Sequence, residues 1–578
     1  MDKTIQNMIS ARLNDSDFRA RTVETLRKLV NIDTMPTADI PETARRESEV
    51  FDCIEGIISE IDTELCRTER RPIRTDIEDL RDYTLPFYAR GETGEVPDAE
   101  SVYRSRENLS VRLSGCGEGR PLAFNSHIDV VGPYFGFRRE GDRLVGRGTA
   151  DDKGQCVMML EAVRLLAELA REEDVMPVRD VDFQFVIEEE MGGNGSLSLA
   201  SDPDLDWGCV VVCEPTELEA HPANRGATWY RIELETDPKT DLNATVLASR
   251  ILLALREEGE KIRAESDHPL FPERPVQTCN GEFGPWGLHP SRVCPMAGVF
   301  VENASRDGGD LREAVESACE QAIETYCQRY GDATEKPDPD DPDSPMVLRH
   351  CDIIETGDGF FVVFYGKSGH MGKIRELDCA STKAALAVIE LENLTSPDTR
   401  VCFAQAPPAE TQNPPGKGES PEPQPPARTT THELVIEGGQ GFVPTHSIEE
   451  VQQRIRETCT RVAREYAEQV GAPADAASAV ATFSRLHNNA FERPVDCPGM
   501  EAMREARKAA GMEPQETIRG WEVSCDARLF ADLCPDTDVV TLGSGELRHA
   551  HSENESIKLE EILTGTAILV HMALLYGT

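Results

Sequence analysis
From residue 153 to residue 171 the apolar positions recur at three- and four-residue steps. Met158, Ala162, Leu165 and Leu169 share one face, with Glu161, Arg164, Glu168 and Arg171 on the other. That periodicity predicts an amphipathic helix. Helical spacing also runs through residues 4–31 and 44–61. Shorter apolar runs stand at 108–113, 121–126, 181–187 and 209–213, with a weaker one at 144–150. Runs of this length, bounded by turn residues, read as strands buried on both faces. Strand, helix and strand in succession imply a largely parallel sheet covered by helices.

The pattern changes after Arg225-Gly226. Residues 229–235 alternate as a half-buried strand, 242–257 are helical, 293–301 form a further apolar run and 310–330 a further helix. An acidic, Pro-rich linker follows at 334–345. The order then repeats, with strand 359–366, helix 379–391, strand 433–437, helix 448–469 and strand 477–483. A stretch rich in Pro, Gly and Glu, 406–430, interrupts the second round and has the composition of a disordered insert. The expectation is an α/β catalytic domain made from residues 1–227 and 487–578, closed by strand 539–542 and helix 557–576. Into it is inserted an α+β lid, 228–486. The lid is expected to be duplicated, as two strand-helix-strand-helix halves at 228–333 and 347–486.

Acidic and imidazole side chains follow the predicted strands. His127-Ile128-Asp129 comes after 121–126, Asp151-Asp152 after 144–150, Glu188-Glu189-Glu190 after 181–187 and Glu214 after Cys213, while His549-Ala550-His551 lies near the C-terminus. Strand ends of this kind are where α/β enzymes place their chemistry. In an extended H-x-D the two side chains share a face, so the imidazole can bind a metal while the carboxylate holds its other ring nitrogen. Asp151 can bridge two cations, or simply cap the helix that follows. The glutamate run can supply a metal ligand and a base, or be a solvated loop. Glu214, and either histidine of 549–551, have ordinary surface roles when taken singly. Taken together, the segments make up a two-metal hydrolase site.

Composition adds exclusions. A chain of 578 residues exceeds one domain. Its formal charge of −45 argues against nucleic acid or an anionic membrane face as partner. Twelve of its 60 basic residues are lysine, which suits a saline cytoplasm and equally a highly soluble protein. Seventeen cysteines include no C-x-x-C pair, and Cys156, Cys209, Cys213 and Cys459 lie in apolar segments as small hydrophobes. With a polar N-terminus and no apolar stretch of membrane-spanning length, the expected compartment is a reducing cytoplasm.

The order H-x-D, G-R-G-x-x-D-D-K-G, E-E-x-G-G-x-G-S, E-P-T, C-D-A-R and A-H-S-x-N-E resembles the di-zinc exopeptidase family. That family comprises aminoacylases, glutamate carboxypeptidases, acetylornithine deacetylases and succinyl-diaminopimelate desuccinylases. The resemblance runs from about residue 30 to residue 555. It implies that Asp151 bridges two Zn2+ ions, with Co2+ or Mn2+ also suited. It implies further that His127 and Glu214 complete one ion and Glu190 and His551 the other, that Asp129 orients His127, and that Glu189 is the general base. Tyr365 to Gly372 resembles the family's lid segment, whose histidine, here His370, stabilises the oxyanion. The matching stretch 231–244 holds no histidine. A duplicated lid would therefore deliver His370 within one chain, as in the monomeric bacterial dipeptidases that the enlarged lid resembles; without duplication a homodimer is expected. Arg225 and Arg528 match positions that contact the substrate carboxylate, and both equally suit structural ion pairs. Gly438 to Phe442 stands where many relatives carry a lid arginine. The implied activity is metal-dependent hydrolysis of the amide bond in a dipeptide or an N-acyl amino acid. A deacylase or desuccinylase of an amino-acid intermediate, and a non-catalytic peptide-binding relative, are the alternatives.

Overall fold
Strands Cys66–Pro72 (β1), Glu107–Leu113 (β2), Leu122–His127 (β3), Val181–Val186 (β4) and Cys209–Val212 (β5) join the C-terminal strand Asp538–Thr541 in one six-stranded sheet. Its order is β1-β2-β4-β3-β5 and then the C-terminal strand. β4, β3, β5 and the C-terminal strand run parallel, while β2 and β1 complete one edge in antiparallel fashion. β3, β4 and β5 are buried along their whole length, as continuous apolar runs require in a sheet covered on both faces. β3 lies between β4 and β5, so the C-terminal ends of these three parallel strands stand side by side. The segments that follow β3, β4 and β5 therefore open onto one crevice. This computed structural model describes residues 3–61, 64–90, 96–283, 293–302, 308–338, 341–367, 378–394, 400–405, 428–552 and 554–578.

Helix α1 (Lys153–Glu173) follows the expected periodicity, but the N-terminal part of its polar face is also covered. Glu161 is buried and paired with Arg164 at 3.2 Å, because helices Ser16–Val30 and Leu559–Leu575 pack across it. The weak strand expected at 144–150 is shorter. Only Arg143–Val145 is strand, in a separate three-stranded sheet with Arg138–Glu140 and Ser556–Lys558. Gly148 has φ +88°, a left-handed conformation that ends any strand there. Asp151 is thus presented by a turn and not by a strand of the central sheet.

The second region contains β6 (Gly226–Thr236), α2 (Ala244–Glu265), β7 (Thr278–Phe283), β8 (Met296–Glu302), α3 (Gly308–Tyr330), β9 (Cys351–Thr356), β10 (Gly359–Tyr365), α4 (Ala380–Leu394), β11 (Arg400–Ala404), β12 (Glu433–Phe442), α5 (Ile448–Gln469) and β13 (Ala477–Thr482). Two antiparallel sheets result, ordered β7-β12-β6-β13 and β9-β10-β8-β11. Each has the connectivity β-α-β-β-α-β, with its third and first strands central. The same unit occurs twice, but one copy is nested in the other, between β7 and β12. The expected halves at 228–333 and 347–486 cut across this arrangement, since β8 and α3 belong with β9–β11 while β6 and β7 pair with β12 and β13. Long-range strand register decides the unit, and alternation along the chain cannot reveal it. β12 also extends beyond the expected 433–437, through the glycines up to Phe442. A Cβ at Gly441 would stand 2.8 Å from Arg225 Nη1, so a residue without a side chain lets this strand pass a buried guanidinium.

Two hydrophobic cores follow the two regions. One gathers residues between Ile9 and Ala220 with others between Phe491 and Ala573, and the second lies between Ala223 and Ala477. Residues 406–427 of the Pro-rich insert lie outside the described residues. No described helix is long and apolar enough to cross a membrane.

Candidate metal centre
His127, the last residue of β3, sets its Nε2 3.1 Å from Asp151 Oδ1. His551 Nε2 stands 3.4 Å from Asp151 Oδ2 and 2.8 Å from Glu190 Oε1. The two oxygens of Asp151 therefore face two different imidazoles. Two ligand groups share this aspartate: His127, Asp151, Asp152 and Glu214 in one, and Asp151, Glu190 and His551 in the other. Within each, the ligand atoms lie within 4.8 Å of one another. Every member is buried except His551, which is half-buried. Glu189 Oε2 lies 4.0 Å from His127 Nε2 and belongs to neither group.

Asp129 ties two of the strand ends together. Its carboxylate accepts the backbone N–H groups of Glu189 and Glu190, both at 3.1 Å. His127 Nδ1 is 3.0 Å from the Asp129 carbonyl oxygen and 3.4 Å from the nearer carboxylate oxygen. The expected carboxylate contact to the imidazole is thus the longer one, because that carboxylate is engaged by the glutamate loop.

On the far side of the loop, Glu188 turns away from the ligand groups with φ +66°. Its carboxylate accepts from Tyr103 Oη at 2.6 Å, from Tyr88 Oη and from Arg106 Nη1. Arg106, fully buried, also donates to Glu47 through Nε at 2.8 Å. Asp152 is held by Ser126 Oγ and by the His127 N–H at 3.3 Å. The sequence motifs already contained Asp152, beside Asp151, and Glu555, four residues after His551, but isolated charges such as Glu47 and Arg106 carried no signal.

Burial pushes the Glu189, Glu190 and Glu214 carboxyls well above or above their usual range, with neighbouring carboxylates adding to it. Burial opposes protonation of His127 and His551, yet their acidic partners raise both well above a free histidine. Glu214 Oε1 and Asp152 Oδ1 are buried with no hydrogen-bond partner. Carboxylates crowded away from water, some with an orphan oxygen, require a compensating positive charge. The donors are carboxylate oxygens and imidazole nitrogens, a set that fits a pair of divalent ions sharing Asp151.

The other expected residues fall elsewhere. His370 lies outside the described residues. Arg225 is buried and donates to Gln277 Oε1 and to the Pro275 carbonyl at 3.4 Å. Arg528 donates to the Gly192 carbonyl at 3.0 Å and faces Asp82 at 3.5 Å. Both guanidiniums brace backbone, and neither is among the ligand groups. Arg528 Nε and Nη1, however, are buried without a hydrogen-bond partner. His549 Nε2 contacts Arg143 Nη1 at 3.2 Å, and His221 Nδ1 contacts the Arg519 carbonyl at 2.9 Å.

Comparison with known proteins places this arrangement in a class. Residues 123–575 match the model of Peptidase family M20/M25/M40, and the chain belongs to that family. A Peptidase M20 domain-containing protein of Schizosaccharomyces pombe is 30% identical over 138 residues, 24% of this chain and 33% of that protein. An acetylornithine deacetylase of Aliivibrio fischeri is 25% identical over 245 residues, 38% of this chain and 62% of the relative. The matched stretches thus span less than two thirds of these relatives' own lengths. The solved structure of a dipeptidase from Saccharomyces cerevisiae shares the fold, with a TM-score of 0.55 at 11% identity over 99% of this chain and 98% of that one.

Proposed function
We propose that the protein is a metal-dependent hydrolase that cleaves the amide bond of a small peptide, as a dipeptidase does, or of an N-acyl amino acid. The observation that carries this reading is Asp151, whose two oxygens face His127 and His551 from opposite sides. His127, Asp151 and Glu214 would hold one Zn2+, and Asp151, Glu190 and His551 the other; Co2+ or Mn2+ suit the same donors. When bound, two such ions would acidify water and polarise an amide carbonyl.

The remaining steps belong to the chain's own side chains. Glu189, beside the cluster but outside both ligand groups, takes a proton at its carboxylate and returns it to the departing amine. Burial raises its affinity for protons, which suits a group that accepts a proton and gives it back. Asp129 fixes the backbone of Glu189 and Glu190 together, so base and ligand keep one spacing. Asp152, held by Ser126 Oγ and the His127 amide, fixes the end of the strand that carries His127. His370 is the proposed oxyanion donor, and the nested pair of lid units supports its delivery within a monomer. The free cysteines among the described residues support a reducing, cytoplasmic setting.

Purified protein supplied with Zn2+ and a panel of dipeptides and N-acyl amino acids tests the reading. Chelator-sensitive release of amino acid from one of the two classes is expected. Turnover of acyl substrates alone would favour the deacylase reading, which the acetylornithine deacetylase relative supports. No turnover of either class would sink the proposal.

A further inference from the structure
A second set of metal-ligating atoms lies in the inner lid unit, outside every motif read from the sequence. Cys327 comes from the last turns of α3, Asp332 follows Gly331, whose φ of +84° ends that helix, and His350 immediately precedes β9. Cys327 Sγ is 3.6 Å from His350 Nε2, and the same nitrogen is 3.0 Å from Asp332 Oδ1. All three residues are half-buried, and their ligand atoms lie within 4.8 Å of one another.

These separations resemble those of a tetrahedral site. An ion about 2.3 Å from sulfur and about 2.0 Å from nitrogen and oxygen gives S···N edges of about 3.5 Å and N···O edges of about 3.3 Å. The first agrees with the observed distance, and the second exceeds it by a few tenths of an ångström. The His350 side chain is 10% exposed and that of Asp332 36%, so the imidazole sits inside and solvent can complete the coordination beside the carboxylate.

We propose that Cys327, Asp332 and His350 bind a divalent ion of the zinc type that clamps the loop between α3 and β9. A thiolate and a carboxylate neutralise the ion's charge, and sulfur with imidazole nitrogen selects against Mg2+ and Ca2+. As the sulfur–metal bond forms, the Cys327 thiol releases its proton to solvent. Such a clamp suits this loop, whose apolar cluster among the described residues is small, consisting of Ala333, Met346 and Val347. The clamp would add to backbone bonds that already cross the loop, among them Met346 N–H to the Lys336 carbonyl at 2.9 Å, Asp338 N–H to the Ser344 carbonyl at 2.8 Å and Val347 N–H to the Ala333 carbonyl at 3.2 Å. Asp338, on the same loop, reaches Lys367 at 2.8 Å, so holding the loop also steadies the end of β10.

Reloading metal-depleted full-length protein with Co2+ separates this site from the one around Asp151, whose ligand groups contain no sulfur. A thiolate-to-cobalt charge-transfer band in the near ultraviolet is expected for the wild type. It should vanish in Cys327→Ser and in His350→Gln, each holding one metal equivalent fewer by elemental analysis. A wild type without the band overturns the proposal. So does a Cys327→Ser protein that keeps both band and metal count, or a band that disappears in Cys351→Ser instead.

Discussion

Glu555 accepts the backbone N–H of Asp151 at 3.1 Å, across 404 residues of chain. The same oxygen accepts from Gly148 at 2.9 Å and Ala150 at 3.0 Å, and the other oxygen takes Arg147 Nη1 at 2.6 Å. The turn that presents the shared aspartate is therefore shaped by a carboxylate from the C-terminal segment. Glu555→Ala would strand a buried guanidinium and three amide groups, at a cost of about 3–5 kcal/mol. Glu555→Gln, which keeps an acceptor oxygen, should cost less. Denaturant unfolding and metal content are the measurements; an alanine variant within about 0.5 kcal/mol of wild type would mean that the turn holds itself.

Glu189 lies near both ligand groups and is part of neither. Glu189→Gln is expected to lower kcat by about 10²–10⁴-fold while leaving metal content unchanged, since His127, Asp151, Glu190, Glu214 and His551 remain. Loss of metal along with rate would make Glu189 a ligand, and full activity would remove it from the proton path.

Glu188 acts on the same loop from behind. With Arg106, Tyr88 and Tyr103 gathered on its carboxylate, it anchors the residue just before the base at a left-handed backbone angle. Glu188→Gln weakens the Arg106 contact without emptying the space. The expected result is a kcat lowered by roughly ten- to a hundredfold with KM little changed, as a small misplacement of a reacting group produces. Arg106→Met, which leaves Glu47 and Glu188 buried together without their cation, should cost stability as well, about 3–5 kcal/mol. A Glu188→Gln enzyme whose loss appears in KM alone would assign Glu188 to substrate binding.

The parts of this molecule legible in the sequence were those built from local periodicity or strict motif. The helix at 153–173, the buried strands ending at His127, Val186 and Val212, and the five proposed ligands all stand in runs with a readable pattern. The nesting of one lid unit inside the other was not legible, because it rests on β7 pairing with β12 across more than one hundred and fifty residues. Short edge strands β9 and β11 also escaped, being half-exposed in one case and only five residues long in the other. Glu47, Arg106 and the Cys327–Asp332–His350 group are isolated polar residues, brought together by tertiary packing alone. Asp151 does stand where the two ligand groups meet, but it is carried by a turn held from the far end of the chain and not by the expected strand.

His221 and His571 give the protein an acid limb that is separate from the candidate metal centre. Burial lowers both imidazoles to about 4, against about 6.5 in an unfolded chain. Above about pH 6.5 both forms of the chain hold these residues neutral, and the full stability is present. As pH falls below that value the unfolded chain binds protons that the folded one refuses, so stability declines until about pH 4, where the folded imidazoles titrate too. At pH 5 the loss amounts to about 2 kcal/mol for each histidine. Asp526, pushed up to about 6 by burial, titrates in the same range, so wild type must be compared with His221→Gln and His571→Gln at each pH. Each variant should be less stable at pH 7.5, where an amide replaces a well-packed ring, and should lose less on acidification. Equal slopes of unfolding free energy against pH in wild type and variants would show that other groups carry the acid sensitivity.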